Sequence, residues 1–315
     1  IHLISFDDDP FVVWDSAQML YKNVILEDYA EKTNDDLELK LSSALLKTIE
    51  KEKFNGSFKA LLLIPPSQAV LMSEVEKPDP PKVFLAKQNV LRRMSNKIIN
   101  SLQHMLTIAG SDLESLDEPG RSLHNQLLSW GLLTELEIAQ SLALEQVSSS
   151  NMTLVKGAIN ALNQIDVPNR IIALERFHER WKTYPLVIEN WFFWQASSFI
   201  DGTPEKCKEL MKHPAFDSDN PNKLRSVIGS FASGNPVHFH ANDGSGYEFL
   251  AEQLLELDKK NPQMSSRLAL PLTRFANFSS ERKTLMLNIL KKLNERKLSS
   301  DLSEVVNKSI NFVYN

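Results

Sequence analysis

Along nearly the whole chain, apolar residues recur at the three- and four-residue spacing of an amphipathic helix, and short proline-bearing breaks separate the stretches that carry them. Met286, Ile289, Leu290 and Leu293 form one stripe; Leu174, Phe177 and Trp181 form another. The breaks include Ile64-Pro65-Pro66, Lys77-Pro78-Asp79-Pro80-Pro81, Asp117-Glu118-Pro119-Gly120, Val167-Pro168-Asn169 and Asn220-Pro221-Asn222. Short links between successive amphipathic helices favour antiparallel helical hairpins stacked side by side, each covering the apolar face of its neighbour. Glycine, 10 in 315 residues, is too scarce to supply many hairpin turns, while Leu, Ala, Glu and Lys recur throughout. The expected fold is all-α: an irregular superhelix, or solenoid, of stacked antiparallel hairpins over residues 1–315, without a strict sequence repeat. Two separate bundles divided near Pro78 to Pro81 are the alternative. A long turn is the better reading of that cluster, because helical patterning resumes at once with Val83-Phe84-Leu85-Ala86.

Start signals precede several stretches. Thr203-Pro204-Glu205 offers an N-cap with proline in the first turn, Ser111 with Glu114 fits a capping box, and Asp301 with Glu304 resembles one. Charge narrows the partners: 35 basic against 40 acidic residues, a net of -5, leaves no positive field to neutralise phosphates or to sit on an anionic membrane. No stretch approaches the roughly 18 uninterrupted apolar residues of a membrane span. Cys207 is the only cysteine, so no intrachain disulfide framework exists, and a reducing, cytoplasmic setting is the expectation. Four Asn-x-Ser/Thr sequons, at Asn55, Asn151, Asn277 and Asn307, are short enough to arise by chance. The chain starts at Ile1 with neither an initiator Met nor a signal peptide and reads as an excised fragment.

Motifs for chemistry are incomplete. A helical zinc hydrolase site needs His-Glu-x-x-His, two imidazoles on one helix face with a glutamate beside the metal-bound water. His178-Glu179-Arg180-Trp181-Lys182 supplies the first two positions, but Lys182 stands where the second histidine belongs. A surface histidine on a charged helix is the better reading. His238-Phe239-His240 could bind a metal only in an extended segment with further ligands nearby, and reads as a pair of loop histidines. There is no Gly-x-Ser-x-Gly elbow, and Cys207 lies beyond helical reach of His213. Gly244-Ser245-Gly246 is too short to cradle phosphates and reads as a turn feeding a helix near Tyr247. From the residues alone, an interaction scaffold stands ahead of an enzyme.

A longer pattern speaks more specifically. Asn220-Pro221-Asn222-Lys223-Leu224-Arg225-Ser226-Val227-Ile228-Gly229 is followed by Asn235-Pro236, Phe239-His240-Ala241 and Asp243-Gly244-Ser245-Gly246-Tyr247. With Asn261-Pro262-Gln263, Ser266-Arg267-Leu268 and Pro271-Leu272, and upstream Trp181, Pro185-Leu186-Val187, Trp191-Phe192 and Gln195-Ala196-Ser197, this closely resembles the C-terminal domain of the bacterial-type aminopeptidase N family. The likeness is dense over about the last 140 residues. Upstream, Trp14-Asp15-Ser16-Ala17-Gln18 looks like a family element, and residues from about Glu27 to Val167 carry scattered matches.

The resemblance implies a helical superhelix that follows catalytic and β-sandwich domains, closes over the active site and leaves a cavity for peptides and released amino acids. It implies zinc in the parent enzyme, which would remove N-terminal residues from peptides, and no cofactor or metal in this fragment, which should be inactive alone. Its implied partners are the upstream catalytic domain of the same chain and the parent's peptide substrates. By motif position, Arg225 and Arg267 look like family arginines lining the substrate cavity; a salt bridge tying helices is the alternative for each. For His240, Asp243 and Tyr247 the expectation is a buried polar cluster that organises the turn without a ligand. The rival to the whole reading is a free-standing helical-repeat module binding a protein partner on its concave face.

Overall fold

The computed structural model describes residues 1–134 and 136–311, and among them all regular structure is helical. The prolines that read as breaks turn out to be starts. Pro10–Tyr29, Pro80–Lys97, Pro168–Trp181, Pro185–Ala196, Pro221–Leu224 and Pro262–Leu268 each begin on one, where the fixed φ suits the first turn and the missing N–H would have had no partner. The residue before is often a cap. Side chains of Asp9, Asn34, Asn55, Asp117, Asn151, Asn220, Asn261 and Ser279 each accept a first-turn N–H, at about 1 kcal/mol apiece. Two sequon asparagines, Asn55 and Asn151, are thus N-caps.

The other start signals need correction. Glu114 does not close a capping box: its carboxylate accepts from the Ser149 and Ser150 hydroxyls at 2.6 and 2.7 Å, and only a three-residue 3-10 turn forms there. Thr203 is the first residue of its helix, and its hydroxyl donates back to the Ile200 carbonyl. The final helix, Ser300–Asn311, is capped by Ser299 rather than Asp301, and Asp258 holds Ser299 by two hydrogen bonds.

The helices form two compact units. One comprises Ile1–Leu71 and Leu85–Arg180; the other comprises Met72–Phe84 and the described residues from Trp181 onward. In the first, the helix Glu118–Leu132 packs against both Gly56–Leu62 and Met152–Leu162. Tyr21 and Trp130 reach across to donate to the Leu62 and Leu63 carbonyls. Glu38, fully buried, is met by Arg93, whose guanidinium also donates to Asp28 at 2.7 Å.

The second unit is built around aromatic rings. Phe231 meets Phe239 and Phe249 edge to face, with centroids 6.1 and 5.1 Å apart, and Phe239 meets Tyr247 at 5.1 Å. Such pairs add about 0.5–1.5 kcal/mol each beyond the area they bury. Met286, Ile289, Leu290 and Leu293 all face this core from the helix Ser280–Asn294. The proline cluster at 78–81 lies in the short segment Met72–Phe84 of this unit: Pro78 accepts from the Ser279 N–H at 3.1 Å, and Asp79 pairs with buried Arg282. No helix among the described residues is long and apolar enough to cross a membrane.

Candidate functional site

The most irregular backbone in the second unit lies at Asn220–Gly234. Asn220 caps a single turn, Pro221–Leu224, which runs directly into a π-helical turn, Arg225–Gly229, before α-helix resumes at Ser230–Gly234. The Ser230 N–H reaches back five residues to the Arg225 carbonyl, and the Ser230 hydroxyl donates to the same oxygen at 3.1 Å. A π turn widens the helix by one residue and recurs at functional sites. Here it buries Ser226, Val227 and Ile228 and leaves Arg225 exposed. The guanidinium donates to Asn222 Oδ1 at 3.1 Å and meets no carboxylate among the described residues.

Beside it is an open cavity of about 310 Å³, lined by Leu186, Glu189, Asn190 and Phe193 from the helix Pro185–Ala196 and by Asn222, Arg225, Ser226 and Ser230. That helix is apolar on more than one side. Ile188, Phe192 and Trp194 are buried, while Leu186 and Phe193 remain 72% and 44% exposed at the cavity. Between them, Glu189 Oε1 is buried without a hydrogen-bond partner. The nearby cation, Lys223, is also buried, and its ammonium donates to the Pro185 carbonyl at 2.6 Å over the Phe192 ring. Burial pulls the Lys223 pKa down, against the opposing pull of Glu189 and Asp217. The arrangement offers one carboxylate, one guanidinium and an apolar wall around an open space.

Arg267 is exposed near the end of Pro262–Leu268, an element that packs on the π turn, but it does not line the Arg225 cavity. His240 and Tyr247 do meet, Nδ1 to hydroxyl at 2.7 Å, walled by Phe239 and Phe278. Burial, with the Arg282 guanidinium close by, pushes the His240 pKa down to about 3; burial pushes the Tyr247 phenol up. Arg282 reaches Asn242 and Asp79 from the far side. Asp243 stands apart from this pair: its carboxylate accepts from the Ser245 N–H and hydroxyl, and so shapes its own turn. Gly244, at φ 78°, enters the helix Ser245–Asp258 in the left-handed region, and a Cβ on Gly246 would lie 2.3 Å from the His238 carbonyl oxygen.

The remaining candidates for chemistry are dispersed. His238 turns to the Phe199 carbonyl, away from His240, and its segment is a turn rather than a strand. His178 sits 3.7 Å from its own neighbour Glu179. Cys207 is fully buried and its thiol is pushed up to about 12. Among the described residues no three His, Cys, Asp or Glu side chains converge to hold a metal ion. Leu186, Glu189 and Phe193 escaped the sequence reading. The available signal was Glu189 flanked by Ile188 and by Trp191-Phe192-Phe193-Trp194, a helix too apolar to hide every ring.

The family described as "Domain of unknown function (DUF3458_C) ARM repeats" matches residues 1–311. The chain is 30% identical over 311 residues to aminopeptidase N of Escherichia coli, covering 95% of this chain and 35% of that protein. It is 29% identical over 318 residues to aminopeptidase N of Haemophilus influenzae, covering 98% and 36% respectively. Among solved structures, Legionella pneumophila aminopeptidase A in complex with aspartic acid matches with a TM-score of 0.86 at 26% identity, over 98% of this chain and 38% of that one. The chain therefore spans about a third of the length of these relatives.

Proposed function

The chain belongs to the DUF3458_C family of ARM-repeat domains, the C-terminal domain of aminopeptidase N-like proteins, and from this we propose that it covers the active site of a zinc aminopeptidase and shapes the space through which peptides reach it. The carrying observation is Arg225. An exposed guanidinium with no carboxylate partner among the described residues, raised on a π turn over an open cavity, is available to a peptide carboxylate or carbonyl. Arg267, exposed on the adjoining element, serves the same peptide from a neighbouring position. Catalytic and β-sandwich domains would lie upstream in the same polypeptide, and the whole enzyme would release N-terminal residues from peptides in the cytoplasm.

Zinc, in this reading, belongs to the catalytic domain. The residues present do not fit it: Lys182 occupies the second-histidine position, and no three-ligand group exists among the described residues. The role of this chain is to bind and orient.

Arg225→Ala and Arg267→Ala in the full-length enzyme test the proposal. Loss of one charge-assisted hydrogen bond should lower kcat/KM for longer peptides by roughly tenfold to a hundredfold, about 1.5–3 kcal/mol, with little change for single-residue reporter substrates. Unchanged peptide kinetics with a clear fall in melting temperature would reduce both arginines to structural ties.

A further inference from the structure

Two opposite charges line the cavity beside the π turn without pairing to each other. Glu189 is partly buried there: its Oε1 is enclosed without a hydrogen-bond partner, which leaves its other carboxylate oxygen to face the cavity. Lys223 donates to the Pro185 carbonyl and does not reach Glu189 Oε1. Arg225 commits one donor to Asn222 and keeps the rest of its five N–H groups. Phe193 and Leu186 present an uncovered apolar wall. The space is open and measures about 310 Å³, room for a single small molecule.

We propose that this cavity binds a free apolar amino acid as its zwitterion, with the ammonium on Glu189, the carboxylate on Arg225 and the side chain against Phe193 and Leu186. An internal peptide unit carries neither charge. A peptide C-terminus brings the carboxylate, but its α-nitrogen is a neutral amide, whereas a free amino acid answers both groups from one α-carbon. This occupant shares Arg225 with the peptide role proposed above but needs no catalytic domain. Peptide kinetics can therefore fail while the amino acid binds, and the reverse.

The test is calorimetric titration of the 315-residue chain, its helicity verified by circular dichroism, with L-leucine, L-leucinamide, N-acetyl-L-leucine and glycine. Leucine should bind one to one, and each of the other three, lacking one recognition element, at least about tenfold more weakly. Glu189→Gln should weaken leucine to a similar degree and leave N-acetyl-leucine unchanged; Arg225→Ala should weaken leucine and leave leucinamide unchanged. The same titrations on the full-length protein treated with a chelator read the same contrast between wild type and Glu189→Gln. The assignment is overturned if the folded chain does not bind leucine, if N-acetyl-leucine binds as tightly as leucine, or if Glu189→Gln binds leucine like the wild type.

Discussion

The first unit buries its polar groups by side chains that reach from one regular helix to another: Arg93 to Glu38 and Asp28, Gln146 to His124 and Asn125. The second unit instead bends its backbone. It holds the π turn, both left-handed glycines, Gly202 and Gly244, and the irregular run from Asn235 to Gly244 packed among aromatic rings. The contrast locates where a ligand site can arise in an all-helical chain. A side-chain tie closes the gap between two helices, whereas a widened backbone lifts Arg225 out of the pattern and leaves a cavity beside it.

Four measurements put this contrast at risk. Phe231→Ala, at a fully buried ring that meets two others, should cost about 3–5 kcal/mol. Amide exchange should then show lost protection over 185–306 first; equal loss over the helices 10–49 would merge the two units into one cooperative body. In the first unit, Glu38→Gln leaves Arg93 with Asp28 alone. Breaking a buried pair costs about 3–5 kcal/mol, and partial exposure of Arg93 brings the expected loss nearer 2, read from urea unfolding. An effect below half of that would mean the first unit does not depend on its ties.

Gly246→Ala forces a methyl group against the His238 and Phe239 carbonyls, at 2.3 and 2.4 Å, and should cost about 1–3 kcal/mol in thermal unfolding. A neutral outcome would show that this backbone yields, contrary to the contrast drawn. The smallest effect is one of slope. His240 stays neutral in the folded state down to about pH 3, whereas an unfolded histidine protonates near pH 6.5. The unfolded chain thus binds the extra proton between those values, and stability is full above about pH 7 and falls as the pH drops, by up to about 1.4 kcal/mol per unit. His124 in the first unit is also lowered by burial, although Gln146 opposes the shift. His240→Gln should therefore flatten the acid limb more than His124→Gln does, and the reverse order would assign the acid sensitivity to the first unit.

The helices themselves were legible because their signals are local. Proline-bearing breaks separated them, and the Met286 to Leu293 stripe marked a core face. Glu114 misled because Ser149 and Ser150, far along the chain, claimed its carboxylate in place of the adjacent backbone. The π turn had no signature, since Arg-Ser-Val-Ile-Gly satisfies an α-helix equally well. Arg225 was reached through a likeness to a family. Glu189, its counterpart across the cavity, was not, because a lone carboxylate in an apolar helix announces its missing partner only once the fold surrounds it.

Buried Cys207 has a practical consequence for all such measurements. With its thiol pushed up to about 12 by burial, very little of it would be thiolate at pH 8, and the sulfur is fully enclosed. The wild-type chain is therefore its own silent background for maleimide chemistry. A single Leu186→Cys change at the cavity mouth would accept a fluorophore or spin label at that position alone, with no native residue removed first.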